Sequence, residues 1–419
     1  MAPDLAIERE PNPAPGRVTT TCCVAGGGPA GMMLGFLLAR AGVNVLVLEK
    51  HKDFLRDFRG DTVHPSTLEV LHEVGLLDDF LKRPHQEVRN LVAYVGGQQA
   101  PMADLSHLPT HCKFIVLMPQ WHFLDFLAER ARAYPGFHLR MECEAVDILV
   151  EGGRVTGVRA QSKEGELRIA ADLVVAADGR HSTIRDRAGF DVMRLAAPID
   201  VLWMRVSRAP GDPEQSLGRV DAGKFLVMLN RDDYWQCAYV IPKGGFDAIR
   251  EAGLASFQND LEQIAPFLAG RAGELKTWDD VKLLSVAVDR LRQWHRDGLL
   301  CIGDAAHAMS PIGGVGINLA IQDAVAAANI LSDALRRRNV STNDLRKIQR
   351  RRTFPTRATQ GLQVFVQDRV VTPALQSKAS IKELPWPLKM LRRWPRLRRI
   401  PARLVGLGFR PEHVRTRSS

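Results

Sequence analysis

Gly26, Gly28 and Gly31 fall at the spacing Gly-x-Gly-x-x-Gly in the run Gly26-Gly27-Gly28-Pro29-Ala30-Gly31. That spacing can do chemistry only between a strand and a helix. The first glycine permits a tight turn, the second lets backbone approach a pyrophosphate, and the third lets helix and strand pack closely. A helix starting at Pro29 and Ala30 would offer unpaired N–H groups and the positive end of its dipole to phosphate oxygens. Glu49, with Lys50 beside it, lies 18 residues after Gly31, where an acid would bind the ribose hydroxyls of an adenosine.

Two later stretches repeat the logic. Asp178-Gly179 follows the apolar run 172–177, and a carboxylate at a strand's carboxyl end points into the crevice of an open α/β sheet. Arg180, His181, Ser182 and Arg185 come next, Arg185 reading as a surface or phosphate-facing cation. Gly303-Asp304 closes the apolar run 299–302, placing Asp304 to accept hydrogen bonds from ribityl hydroxyls. The loop Pro311-Ile312-Gly313-Gly314-Val315-Gly316-Ile317-Asn318 then leads into a long helix. Its glycines let backbone lie against a flat ring, and the helix start aims positive polarity at a ring that gains charge on reduction. Together, in this order, the three stretches imply a flavin dinucleotide held by one discontinuous domain.

The positioning elements are legible from periodicity. Residues 20–25 and 43–48 read as strands flanking a helix at 31–40, a β-α-β unit. Helical spacing covers 63–81 and 119–133, and a hairpin signal at Glu151-Gly152-Gly153 joins strands 145–150 and 154–160. Strand 167–170 completes a three-stranded meander, after which 172–177 reads as a separate strand buried on both faces. Residues 201–206, 225–229 and 234–241 alternate like antiparallel strands, followed by helical spacing at 246–268. A helix is expected over 317–335. This predicts an α/β fold: a Rossmann-like parallel sheet with a β-meander, an inserted antiparallel-sheet substrate domain and a helical tail. The expected boundaries are a disordered leader at 1–17 and a discontinuous dinucleotide domain at 18–90, 113–196 and 281–370. The substrate domain takes 91–112 and 197–280, and the basic tail 371–419.

Composition narrows the class. At 419 residues, 45% hydrophobic and 25% charged, the chain can bury a large core. The net charge of +10 is nearly all in residues 381–419, where 11 Lys/Arg face 2 Asp/Glu, so a nucleic-acid partner for the body is excluded. The six cysteines show no Cys-x-x-Cys spacing, and Cys22, Cys23 and Cys301 fall in strand-like runs as buried free thiols, which fits a reducing, cytoplasmic compartment; no metal site is expected. No signal peptide or spanning helix is expected.

With all three motifs in order and spacing over residues 18–370, the chain resembles the FAD-dependent aromatic-ring hydroxylases, the flavoprotein monooxygenases of the para-hydroxybenzoate hydroxylase fold. The resemblance implies FAD contacts at Gly26, Gly28, Gly31, Glu49, Asp178, Gly179, Gly303, Asp304 and the 313–318 loop, with Val146 also at the cofactor. It adds Arg59 after the second strand, and Gln120, which stands where many relatives carry arginine. NADH or NADPH would visit as a transient reductant, since no second fingerprint exists. Reduced flavin and O2 would form a C4a-hydroperoxide that hydroxylates an aromatic or quinone-like molecule, Pro311 orienting substrate or hydroperoxide. The alternative within the fold is a flavin-dependent reductase or dehydrogenase, such as a prenyl-chain reductase, toward which Cys237 points. A third reading is a non-catalytic FAD-binding protein at a membrane.

Alternation in the inserted sheet nominates Trp203, Arg205, Met228, Gln236 and Ala238 as substrate-facing, and a one-residue shift would invert that set. Few polar residues lie there, which favours an apolar, polycyclic or lipid-like substrate. His64 and His307, at a helix start and a turn, are assigned structural roles. The segment 388–400 mixes arginines with bulky apolar residues, so the tail either lies on an anionic membrane or packs on the flavin domain, with Pro395 and Pro401 breaking any long helix. A monomer or a homodimer would satisfy the sequence.

Overall fold

The computed structural model describes residues 16–55, 62–377 and 379–418. The expected leader therefore lies outside the described residues except for Gly16 and Arg17, and Arg17 already opens a strand. That strand, Arg17–Ala25, is the centre of the first sheet. It pairs in parallel with Val45–Leu48 on one side and Gly165–Ala176 on the other. Leu299–Cys301 extends the sheet beyond Gly165–Ala176, and Phe137–Arg140 beyond Val45–Leu48.

The meander differs from its expected form. Residues 167–170 and 172–177 are one 12-residue strand, Gly165–Ala176, with no break between them. Its first half pairs antiparallel with Arg154–Ser162, and its second half pairs parallel with Leu299–Cys301. The change in hydrophobic pattern therefore marks a change of neighbour, not a turn. Two other expected elements are divided. Gly75 (φ +76°) separates Pro65–Glu73 from Leu77–Leu81, and Gly253 (φ +90°) separates Phe246–Ala252 from Leu254–Ile264.

The helices Pro29–Arg40, Gln120–Ala131 and Gly316–Arg336 cover one face of the first sheet, in a core that includes Met33, Phe36, Phe126, Ile321 and Val325. The meander covers the other face. By length and composition the segment Ile312–Arg336 would cross a membrane, but 67% of its apolar window is buried in the protein. A second sheet, seven strands among the described residues, runs Lys282–Leu284, Ile199–Ser207, Tyr234–Pro242, Lys224–Asn230, Leu217–Asp221, Asn90–Val95, Gln98–Asp104. One of its faces packs on Leu254–Ile264, burying Met204, Met228 and Cys237. Its other face is turned toward the first domain's crevice.

The tail packs on the body. Ala402 and Leu407 join Leu105, Leu108 and Leu117 in a small core, and Leu384 packs with Val95 and Ala100. Pro401 lies in the first turn of Arg399–Gly406, where its missing N–H costs no helical bond.

Candidate functional site

The carboxyl ends of the parallel strands open into one continuous cavity of about 1030 Å³. At the fingerprint, Gly26 has φ +108°, and a Cβ on it would lie 2.3 Å from the Ala177 carbonyl oxygen. A Cβ on Gly31 would lie 1.9 Å from the Gly26 carbonyl, whereas one on Gly28 meets nothing within 4 Å. The outer glycines are thus dictated by packing and the middle one by the open space before it. Helix Pro29–Arg40 starts there with no side-chain cap among the described residues, which leaves its first-turn N–H groups to an anion. Pro29, Ala30, Glu49 and Lys50 line the same end. Glu49, 8% exposed, accepts from Gly27 N at 3.1 Å and His51 N at 3.0 Å, with His51 Nδ1 at 2.5 Å. Lys50 pairs with Glu144 at 3.7 Å.

Asp178 and Gly179 line the middle of the cavity. The Asp178 carboxylate is turned back to its own turn, accepting from Ser182 Oγ at 2.5 Å and Ile184 N at 3.1 Å. Burial pushes this carboxyl above its usual range despite those bonds. Arg180 reaches Asp304 Oδ2 at 3.8 Å, joining the second motif to the third. Arg185 is not the surface or phosphate-facing cation expected: it is buried, and its guanidinium donates to the Arg180 carbonyl at 3.0 Å, fastening the turn from behind.

Asp304, Pro311, Gly313, Gly314, Gly316 and Ile317 line the far side. Gly314 (φ +62°) has room for no side chain, since a Cβ would lie 2.3 Å from Thr62 Oγ1. Its carbonyl accepts from Thr62 Oγ1 at 3.0 Å and from Asn318 Nδ2 at 3.2 Å. Asn318 lies behind the lining, and its Oδ1 also accepts from His64 N and Thr67 Oγ1, each at 2.8 Å. Gly31 and Gly303 are likewise behind the wall, Gly303 N donating to Asp323 Oδ2 at 3.1 Å. Gln120 lines the cavity, whereas Val146 does not: its neighbours Cys143, Glu144 and Ala145 face it instead. Arg59 lies outside the described residues.

The cavity continues without a break onto the inner face of the second sheet. Trp203 and Ala238 stand there as expected, paired across the strands. Met228 does not: it pairs with Cys237 on the opposite face and is fully buried under Leu254–Ile264, so Phe225, Val227 and Leu229 take the cavity side of that strand. Arg205 and Gln236 share the inner parity but sit beyond the cavity, Arg205 over the Tyr234 ring and Gln236 accepting from Arg231 Nε at 3.1 Å. Cys237 is buried on the far side, which removes it from any chemistry in the cavity.

Residues 19–361 match the family described as FAD binding domain. The chain is 33% identical over 410 residues to a 6-methylpretetramide 4-monooxygenase of Streptomyces rimosus, covering 97% of this chain and 96% of that protein. The chain belongs to the FAD-dependent aromatic-ring hydroxylases. A rifampicin monooxygenase of Streptomyces venezuelae is 31% identical over 310 residues, 72% of this chain and 61% of that relative. Among solved structures, the p-nitrophenol 4-monooxygenase PnpA of Pseudomonas putida shares the fold, with a TM-score of 0.72 at 22% identity over 92% of this chain and 99% of that one. As a hydroxylase of this family the protein is an FAD-dependent oxidoreductase, with NAD(P)H as reductant. The open space before Gly28, the uncapped helix start and the two carboxylates along the crevice suit an extended dinucleotide.

The hydroxylase cavity also uses residues that sequence reasoning passed over. Val405, from the C-terminal helix, lines it, and its carbonyl lies 2.7 Å from His64 Nδ1. That bond fixes Nδ1 as the donor and leaves Nε2 as an acceptor in a buried ring. Burial lowers this histidine to about 4, against the smaller raising effect of the Val405 carbonyl. Only a pairing 341 residues apart makes the contact, so no local signal announced it.

Proposed function

We propose that this protein hydroxylates a polycyclic, largely apolar aromatic compound, with Gly26–Ala30, Glu49, Asp304 and the 311–317 loop holding the cofactor. The continuity of the cavity from Gly28 to the Val227 and Ala238 wall carries the reading, because cofactor and substrate then share one space. FAD, reduced by NADH or NADPH, supplies the activation of O2. The N–H groups at the start of Pro29–Arg40 would bind the pyrophosphate, and the carboxylates of Glu49 and Asp304 would accept from ribose and ribityl hydroxyls. Backbone at Gly313 and Gly314 would lie against the ring, and the start of Gly316–Arg336, without a side-chain cap among the described residues, would place positive polarity beside it.

On the substrate side Val201, Trp203, Leu217, Phe225, Val227 and Leu229 form a wall that excludes water and accommodates flat apolar rings. Pro311 lines the cavity, its carbonyl accepting from Gly314 N at 3.0 Å, and would help to orient the substrate. The identity to a 6-methylpretetramide 4-monooxygenase supports a fused-ring substrate over a single phenol. The reductase reading loses its residue support, since Cys237 faces away from the cavity.

The test is oxygen uptake by purified yellow protein with NADH or NADPH, as single-ring and fused-ring phenols are added. Faster NAD(P)H oxidation with a product one oxygen atom heavier, strongest for fused rings, is expected. Flavin reduction without oxygen incorporation for any phenol would sink the proposal.

A further inference from the structure

We propose that the outer face of the two C-terminal helices docks on an anionic lipid bilayer. Residues 386–403 contain seven Lys/Arg and no Asp/Glu. They form Trp386–Arg393, a short turn at Pro395–Arg398, and Arg399–Gly406. The inner side of this segment is already engaged: Leu388 packs beside Val95 and Ala100, and Ala402 is buried near Leu105. The outer side combines two chemistries. Arg392, Arg393, Arg396, Arg399 and Arg403 are exposed, and among them stand Trp386 (72% exposed), Trp394 (53%) and Ile400 (60%).

Exposed cations alone would fit any polyanion. Large apolar side chains held outward between them fit a surface that is anionic at the headgroups and apolar just beneath, with tryptophan at the boundary. A nucleic-acid backbone gives Ile400 nothing to bury. The anchored inner side supplies the rigidity, so binding orders no new helix. The helix Arg399–Gly406 also places Val405 in the cavity wall, so a bilayer against its outer side lies one helix away from the apolar cavity.

The experiment is co-sedimentation of the holoenzyme with vesicles of phosphatidylcholine alone, or of phosphatidylcholine with phosphatidylglycerol. Binding to the anionic vesicles only, weakening with salt, is expected. Each cation removed should weaken partition about fivefold, so the R392E/R393E/R396E variant should lose it by more than 100-fold. Trp394→Ser should weaken binding at low salt while flavin content and turnover of a water-soluble substrate stay unchanged. Failure of the wild type to bind anionic vesicles at physiological salt overturns the proposal. Undiminished binding by the triple variant does the same, as does preference for a DNA duplex over vesicles.

Discussion

Asp323 Oδ2 lies 2.6 Å from His307 Nε2, with both groups sealed from solvent. The same carboxylate accepts from Gly303 N at 3.1 Å and Arg352 Nε at 2.8 Å, so it ties the turn presenting Asp304 to the long helix Thr342–Val366. Burial alone would raise this carboxyl, but His307 and Arg352 bring it below its ordinary range. Among the described residues Asp323→Asn leaves Arg352 with Glu412, at 3.5 Å, as its carboxylate partner, and should cost about 3 kcal/mol. Because the folded-state value is depressed, the stabilisation is present above about pH 3.9 and lost as pH falls through the folded value. Urea midpoints at neutral pH should drop in the variant, with weaker flavin retention. An unchanged midpoint would show that the network carries no stability.

Two glycines of one motif should fail in different ways. Gly28 has φ −73°, which valine adopts, and its Cβ would enter open space. Gly28→Val should therefore give a folded protein with near-native unfolding but no yellow colour. Gly31→Val meets the Gly26 carbonyl and should destabilise the chain by several kcal/mol. Absorbance spectra and denaturant titrations on the pair separate the two causes. A yellow Gly28→Val protein would remove the pyrophosphate from this position.

These differences mark what the sequence could reveal. The fingerprint, Asp178 and Asp304 were legible because strand, turn and helix there are contiguous, and local pattern determines which groups face the crevice. Met228 was misplaced because alternation sets a period but not a phase, and both faces of the strand Lys224–Asn230 are apolar. The helix Thr342–Val366 gave little signal: it is rich in arginine, carries Pro355 inside, and buries Arg352, Gln360 and Gln363 where an apolar stripe would be expected. Its partners, including Glu412, are distant in sequence, so its burial is explained only by pairings that no window contains. Val405 escaped notice for the same reason.

The phase of that strand yields a paired prediction. Met228→Ala empties a buried site under Leu254–Ile264 and should cost about 2–5 kcal/mol, leaving the relative rates on different phenols unchanged. Val227→Phe adds volume on the cavity side and should raise KM for fused-ring substrates more than for single rings, with little change in stability. Measuring both variants decides the register. If Met228→Ala changed substrate preference and Val227→Phe did not, the faces would be reversed.

All six cysteines are buried, and burial pushes Cys22 and Cys237 up to about 12, Cys22 with a further contribution from Asp172. The thiolate is the reactive form, so these thiols should resist an aromatic disulfide reagent at neutral pH until the chain unfolds. Counting released chromophore before and after adding denaturant tests this. Rapid labelling of Cys237 in the folded protein would contradict its position behind the sheet and restore a thiol to the reductase reading.

His64 gives the chain a pH dependence of the same sign as that of Asp323, set in a higher pH window. Its folded-state value, about 4, lies below the ordinary 6.5 because burial disfavours the imidazolium. Between those values the unfolded chain takes up a proton that the folded one refuses, so stability falls as pH drops from about 6.5 toward 4, by about 3 kcal/mol in all. His64→Gln keeps a donor for the Val405 carbonyl but cannot titrate, so it should flatten that part of the stability profile. Urea midpoints of wild type and variant, measured every half unit across this range, should diverge toward acid, the wild type falling and the variant holding level. Parallel profiles would mean that His64 is protonated within the fold, and its Nε2 could then no longer serve as an acceptor beside the cavity.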